Sequence, residues 1–212
     1  MNVPTDHPTL DDAIQRCFRS PVSFVPHPEG VASSAATVRF ATLPADETEP
    51  PGLENDELPY LALPDDTMAG PGEGGCLALV AVEGRDRLMA DAVAPLLDPN
   101  TVSIGLMHVT WMPRTIASPL PEGGLDNPEP GELLVYQGAR EALVDTAGGL
   151  RAAGFDVSTH LREDRDPSRP LAETIARQGP DLFVLGLGRH GAGIGRRVLE
   201  ATRIPMLYVR AR

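Results

Sequence analysis

The chain has 212 residues, which suits one domain of common size with an additional segment. It carries 30 acidic residues against 18 basic ones, all of them arginine, and its formal net charge is −12. Affinity for nucleic acids and for anionic membrane surfaces comes largely from cationic side chains, so this charge argues against DNA, RNA and membrane partners. The lack of lysine excludes catalysis by a lysine amine.

The sequence indicates neither export nor a metal site. The N-terminus has no basic start and no apolar run, and no stretch approaches the length of a membrane span, so we expect a cytoplasmic protein. Cys17 and Cys76 show no metal-ligand spacing and no disulfide-scaffold density. We therefore expect two reduced cysteines with no structural role, and no bound metal.

Residues 1–75 differ in composition from the rest of the chain. They hold 11 of the 22 prolines, and 13 acidic residues against three arginines. Because proline lacks an N–H and restricts the residue before it, most of this N-terminal arm should be irregular, with a helix over Thr9 to Phe18 and a strand over Ala36 to Leu43. Two interpretations stay open: a docking arm that lies on its own domain or on a partner, and a disordered acidic leader.

After a glycine-rich linker at residues 70–75, short apolar runs alternate with amphipathic helical stretches over residues 76–212. This alternation predicts parallel strands with helices on both faces of the sheet. The predicted strands are Leu77 to Val82, Val102 to Val109, Phe155 to Leu161, Leu182 to Leu185 and Ile204 to Val209. The predicted helices are Arg85 to Leu97, Glu132 to Ala153, Asp166 to the stop at Gly179, and Ile194 to Thr202, with an irregular stretch at residues 112–131.

Four segments carry a resemblance to a known family: LALVAVEGRDR, GLMHV, DPSRPLAETIARQGPDLFVLG and IPMLYV. In this order, over residues 76–212, they resemble the universal stress protein family. The resemblance implies a five-stranded parallel sheet in a doubly wound three-layer sandwich, of the universal stress protein or adenine nucleotide alpha hydrolase-like type. It also implies a regulatory protein of the stress response that forms a homodimer through its C-terminal strand, Ile204 to Val209.

A glycine-rich loop follows the fourth predicted strand. In ATP-binding members of the family this loop has Gly, two residues, Gly, nine residues, and then Gly with Ser or Thr. Gly188 and Gly191 match the first half, with Gly186 as another possible start, but Ala201 and Thr202 stand where the family has its last pair. In the family's strand order, the nucleotide site lies at the crevice between the first and fourth predicted strands. The nucleotide-binding residues that the resemblance implies are Glu83, Gly84, Gly186, Gly188, Arg189, Gly191, Gly193, Gly195 and Arg196.

The loop residues have a physical rationale as ligands of ATP or another adenine nucleotide. Glycines allow backbone N–H groups to approach an anion, and arginines can grip phosphate oxygens. Glu83 suits a sugar or a base, because a carboxylate accepts from hydroxyl or amino groups and repels phosphate. The other interpretation is a tight turn with solvated arginines, and both stay open. We expect His108 to be a packed core histidine. Of the two, His190 is the stronger candidate for a nucleotide-binding residue, because it lies within the glycine-rich loop.

The sequence contains no paired carboxylates, no nucleophile with a nearby base and no complete P-loop. We therefore expect no catalytic residues and a regulatory protein rather than an enzyme, with weak ATPase activity left open. The alternative is a family member that binds no nucleotide and acts as a protein–protein interaction module through its acidic N-terminal arm.

Overall fold

The computed structural model describes residues 12–20, 22–26, 36–47, 53, 58–64, 75–82, 88–110, 130–187 and 191–210. The helices are α1 (Asp12–Gln15), α2 (Leu88–Val93), α3 (Pro130–Ala152), α4 (Ser168–Gln178) and α5 (Gly191–Thr202). The strands are β1 (Ser23–Pro26), β2 (Thr37–Leu43), β3 (Tyr60–Pro64), β4 (Cys76–Val82), β5 (Val102–Thr110), β6 (Asp156–Glu163), β7 (Leu182–Gly186) and β8 (Met206–Val209).

These strands form one eight-stranded sheet in the order β1-β2-β3-β8-β7-β4-β5-β6. Strands β8, β7, β4, β5 and β6 pair in parallel, as do β1, β2 and β3 with one another. The two groups join where β3 runs antiparallel to β8. The α/β class is confirmed, but a five-stranded, purely parallel sheet is wrong, because the described sheet is mixed and has three more strands.

The three additional strands come from the proline-rich N-terminal arm, which was expected to be mostly irregular. The predicted strand at Ala36 to Leu43 is confirmed as β2, whereas β1 and β3 were missed. Pro26 and Pro64 lie at the last positions of β1 and β3, and Pro59 precedes β3. Proline is tolerated at strand ends, so short strands fit between these residues.

Helices cover both faces of the sheet. On one face, side chains of α1, α2 and α3 pack with alternate residues of the central strands, such as Val80 in β4. On the other face, α4 and α5 pack with the intervening residues, such as Leu79. Strand β4 is therefore buried on both sides, which explains its continuous apolar sequence.

The predicted limits of α4 are confirmed by its capping interactions. The Asp166 carboxylate accepts hydrogen bonds from the Ser168 N–H at 3.1 Å and from Ser168 Oγ at 2.6 Å. At the other end, Gly179 has φ +58°, and its N–H donates to the Ile175 carbonyl at 2.9 Å. This left-handed backbone conformation favours glycine, and it ends the helix at Gly179.

Other helix limits differ from those predicted. Helix α2 ends at Val93, well before Leu97, as expected from the restriction that Pro95 places on the residue before it. Helix α5 begins at Gly191, three residues earlier than predicted. Of the predicted N-terminal helix, Asp12–Gln15 is helical, and the residues before it lie outside the described ranges. Its predicted end is wrong, because Arg16 and Cys17 form a turn and Phe18 pairs with Leu97 in an isolated bridge. The predicted irregular stretch at residues 112–131 also lies outside them, except at its end, where α3 begins.

Cys17 and Cys76 form a disulfide, so the expectation of two reduced cysteines is wrong. Cys17 is 0% exposed and Cys76, the first residue of β4, is 3% exposed. The segment around Cys17 docks on the chain after α2, where the Arg19 N–H donates to the Leu96 carbonyl at 2.8 Å and the Asp98 N–H donates to the Cys17 carbonyl at 3.1 Å. The two cysteines are 59 positions apart, and this docking is a tertiary contact that their spacing did not reveal.

Candidate functional site

The candidate site lies at the carboxyl ends of β4 and β7, which are parallel neighbours with Ala81 opposite Leu185. Glu83 and Gly84 come directly after β4 in sequence, and Gly188 and Arg189 come shortly after β7. These four predicted site residues lie outside the described ranges. The strands that precede them nevertheless end side by side, as the predicted crevice requires.

Helix α5 begins at Gly191 and extends the chain away from this edge of the sheet. The first N–H groups of a helix have no intrahelical acceptor, and the helix dipole favours negative charge at that end. Gly193 lies in the first turn, and a Cβ atom placed there would meet nothing within 4 Å. Gly193 is therefore compatible with close approach of an anion to the backbone.

Gly195 has a different environment from Gly193, although both were predicted to face a nucleotide. It is buried on α5, where an added Cβ would lie 2.7 Å from a ring carbon of Tyr208 and 3.0 Å from Leu185. Its missing side chain lets α5 pack closely on β7 and β8. This packing explains the glycine without a ligand.

Gly186, another predicted site residue, is the last residue of β7. A Cβ there would approach the terminal methyl of Met89 to 2.8 Å, a contact that a flexible methionine can relieve. Gly186 thus brings α2 close to the end of β7.

Two neighbouring arginines on α5 have different surroundings. Arg196, a predicted site residue, is exposed. Arg197 was not predicted to have a role; its Nε donates to Ser168 Oγ at 3.2 Å and its guanidinium lies 3.4 Å from the Asp166 carboxylate. Arg197 therefore ties α5 to the first turn of α4, and adjacent arginines in the sequence gave no means of assigning these environments.

His108 lies near the carboxyl end of β5, opposite Val82 in β4, and is 8% exposed. Burial disfavours the charged imidazole and lowers the pKa of His108, while a backbone hydrogen bond with Val82 acts in the opposite direction. Within the described residues its Nδ1 atom has no hydrogen-bond partner. Its burial agrees with the expected packed core histidine, whereas His190 lies outside the described ranges.

In the part of the chain that the structure describes, no group of three or more His, Cys, Asp or Glu side chains could hold a metal ion. No helix there is long and apolar enough to cross a membrane.

Comparison with solved structures finds similarity to universal stress proteins. A protein of this family from Burkholderia pseudomallei is 23% identical, with 66% of this chain and 100% of that chain covered and a TM-score of 0.48. The universal stress protein from Archaeoglobus fulgidus in complex with dAMP is 18% identical, with coverages of 65% and 99% and a TM-score of 0.44. A family protein from Arabidopsis thaliana with AMP bound is 15% identical, with coverages of 65% and 92% and a TM-score of 0.43.

No profile of a known protein family matches the sequence. No curated protein matches it either.

Proposed function

We propose that this chain is a divergent universal stress protein, a regulatory protein of the stress response that binds an adenine nucleotide at the crevice between β4 and β7. The observation that supports this most is the strand order. From β4 the chain winds outward through β5 to β6 and then returns to β7 on the other side of β4. Open parallel sheets bind ligands where the winding direction reverses in this way.

We assign the phosphates to the loop after β7 and the start of α5. Backbone N–H groups at Gly188, Gly191 and Gly193 would donate to phosphate oxygens. Arg189 and Arg196 would supply positive charge in place of the missing final Gly-Ser or Gly-Thr pair of the family's loop. Gly195 is left out of this assignment, since its packing against Tyr208 already explains it.

The ribose or the base would lie toward the end of β4. Glu83 would accept hydrogen bonds from hydroxyl or amino groups, and Gly84 would leave room for the ligand beyond the end of β4. Gly186 is left out of this assignment, since Met89 lies against it. A carboxylate near the phosphates would repel them, so the nucleotide would bind with its phosphates nearest α5.

Chromatographic analysis of small molecules released from the purified chain, together with calorimetry, tests nucleotide binding. The probes are ATP, AMP and dAMP, the last two being the nucleotides named for the solved structures above. We expect co-purified adenine nucleotide or measurable heat of binding at millimolar ATP. If neither is found, the nucleotide proposal is wrong. Release of ADP from ATP, followed in the same samples, measures the weak ATPase activity that the sequence leaves open.

We expect Gly191→Val to abolish nucleotide binding, because a branched side chain at the first residue of α5 would block the approach of phosphate. Gly148→Val is the matched control, since Gly148 is exposed in the middle of α3 and a Cβ there meets nothing within 4 Å. Circular dichroism should show that both variants fold. Unchanged affinity in Gly191→Val would place any nucleotide site elsewhere.

Arg196→Ser tests the proposed role of positive charge at α5. We expect affinity for ATP to fall by about tenfold, the loss of one charge-assisted hydrogen bond. Arg177→Ser is the control, since Arg177 is exposed in the last turn of α4. An increase in affinity in Arg196→Ser would mean that this arginine blocks phosphate.

A second candidate is a family member that binds no nucleotide and acts as an interaction module through its N-terminal arm. The observation that favours it is the loss of the final glycine: Ala201 stands in its place, and Thr202 lies within α5, where its hydroxyl donates to the Val198 carbonyl at 2.7 Å. A basic partner would suit the 13 acidic residues of the arm. Limited proteolysis would distinguish this candidate, because a partner should protect the arm from cleavage.

We also propose a cytoplasmic homodimer. Dimerisation through the terminal strand faces an obstacle, since β8 pairs with β7 on one edge and with β3 on the other. A contact along the outer edge of β8 therefore requires β3 to move away. Light scattering coupled to size-exclusion chromatography measures the oligomeric state.

A further inference from the structure

We propose that the Cys17–Cys76 disulfide is a redox-controlled clasp. In the oxidised chain it holds the N-terminal strands against β8, and its reduction makes the outer edge of β8 available to β8 of a second copy. The clasp itself is independent of nucleotide binding, and its consequence for assembly rests on the proposed homodimer.

The disulfide anchors the beginning of the arm to the centre of the sheet. Cys17 is joined to the first residue of β4, and noncovalent contacts surround this link: Thr101 Oγ1 donates to the Arg16 carbonyl at 2.7 Å, and Arg19 Nε donates to the Leu97 carbonyl at 3.0 Å. The ring of Phe18 packs edge-to-face on Phe24 of β1 at 5.0 Å between centroids. The anchored segment thus leads directly into the added strands.

At its far end the arm is held by noncovalent contacts, which are the buried side chains of Leu43, Tyr60 and Leu61, a short strand pairing and polar bonds. Strand β3 aligns with β8 over three residue pairs, whereas β4 aligns with β5 over seven. The Arg203 guanidinium donates to three arm carbonyls, those of Glu47 at 2.7 Å, Pro44 at 3.0 Å and Leu43 at 3.4 Å. These bonds lie at or near the surface, where water competes for the same groups.

The charge of the arm opposes its docking. Residues 1–75 carry 13 acidic residues against three arginines, and like charges within one segment of the chain repel one another. The disulfide closes a loop between positions 59 apart and so removes many detached conformations of the arm. We infer that docking depends on this covalent link.

Departure of β3 would expose a strand edge with unpaired backbone groups. The carbonyls of Pro205 and Val209 accept hydrogen bonds from Phe183 and Leu187, so these positions face β7. Since backbone groups alternate along a strand, those of Met206 and Tyr208 face β3. Without β3 they would be left unpaired on a strand whose four side chains are all buried.

A second copy of β8 fits this edge by symmetry. The edge already accepts an antiparallel strand, β3. Two identical strands that pair antiparallel are related by a two-fold axis, which gives a closed, self-complementary dimer. The exposed edge therefore favours a dimer over an open chain of copies.

The redox step is an exchange with a dithiol. One thiolate of the dithiol attacks a sulfur of the Cys17–Cys76 bond, that bond breaks, and the second thiol resolves the mixed disulfide. The dithiol loses two electrons and becomes a disulfide, while Cys17 and Cys76 become thiols and take up two protons. Because both sulfurs are buried, the segment around α1 must open first. Disulfides in the cytoplasm are commonly transient and redox-sensing, which agrees with a clasp of this kind.

Hydrogen exchange of the full chain, with and without a dithiol under native conditions, tests the clasp. We expect reduction to speed exchange in β2 and β3 by at least about tenfold while β5 stays unchanged. Unchanged exchange in β2 and β3 would overturn the clasp. Equal acceleration in β5 would also overturn the clasp, because the disulfide would then stabilise the whole fold and not the arm in particular.

The double variant Cys17→Ser, Cys76→Ser should show the rapid exchange of β2 and β3 without a dithiol, and adding one should change nothing further. If this variant fails to fold, hydrogen exchange of the wild-type chain with and without a dithiol still tests the clasp. Light scattering should give the monomer mass of 22.6 kDa for the oxidised chain and a concentration-dependent rise toward twice that value after reduction.

The outcomes separate the clasp from the proposed function. An arm released without any rise in mass would overturn pairing between β8 edges. A dimer already present in the oxidised chain would overturn redox control and leave the homodimer proposal standing. Calorimetry with ATP in both redox states measures nucleotide binding independently of either result.

Discussion

Gly195 in α5 lies against the ring of Tyr208, and this close contact is the reason for a glycine at that position. We expect Gly195→Ala to destabilise the fold by about 1–3 kcal/mol, because the added methyl overlaps the buried ring, so that either the ring or α5 must shift. Urea denaturation measures the change in unfolding free energy.

Gly148→Ala is the control for this substitution. Gly148 lies in the middle of α3 with open space around its Cβ position, so alanine should stabilise the helix by about 0.5–1 kcal/mol. Equal changes in the two variants would contradict the packing role of Gly195.

His108 should make stability depend on pH. Its pKa in the folded chain is lowered from the ordinary value of 6.5 by burial. Below pH 6.5 the unfolded chain takes up a proton on His108 that the folded chain does not. The contribution of His108 to the unfolding free energy is therefore complete above the unfolded pKa and is lost as pH falls toward the folded pKa. We expect the unfolding free energy to drop between about pH 7.5 and about pH 5.5.

His108→Leu should remove this part of the pH dependence, because leucine fits an apolar site and does not titrate. Urea denaturation of both chains at the two pH values compares the slopes. The same slope in wild type and variant would rule out His108 as the source.

The segment of residues 43–47 depends on Arg203, which joins α5 to β8. Arg203 has φ +49°, an unusual conformation for a residue other than glycine, and this turn directs its guanidinium toward the arm carbonyls. We expect Arg203→Ala to speed hydrogen exchange in residues 43–47 severalfold. The control is Arg169→Ala, whose exposed ion pair with Asp164 on another part of the surface should leave that exchange unchanged.

The start of α4 depends on Asp166 as its cap. Asp166→Ala removes the acceptor for both Ser168 hydrogen bonds, and we expect a loss of about 0.5–2 kcal/mol, typical for a missing helix cap. Asp166→Asn keeps an acceptor and should lose less. Urea denaturation of both variants measures the difference, and equal losses would argue against capping.

For the whole molecule, charge repulsion should respond to salt. The net charge of −12 is concentrated in residues 1–75, where acidic residues exceed arginines by ten. Raising NaCl from about 0.05 M to about 0.5 M shortens the screening length severalfold, so we expect the thermal midpoint of the oxidised chain to rise by a few degrees. A falling midpoint would indicate that attractive ion pairs dominate.

The predictions that succeeded rest on local patterns. The apolar runs at β4, β5 and β7, the stop at Gly179 and the cap at Asp166 each depend on residues close together in sequence, so they were predictable. In the candidate site, the meeting of β4 and β7 was predicted from the strand order that the family resemblance implies. The different surroundings of Gly193, Gly195 and Arg197 could not be predicted, because they depend on how α5 packs against other elements.

The sequence by itself determined the α/β class and the positions of the central strands, because a strand buried on both faces must be apolar throughout. The tertiary structure decided that β3 covers the edge of β8 and that Cys17 reaches Cys76. Both contacts join segments far apart in the chain, and their partners are chosen by which edges and surfaces the folded sheet leaves uncovered. That choice depends on the packed molecule and leaves no periodic signal in the residues themselves.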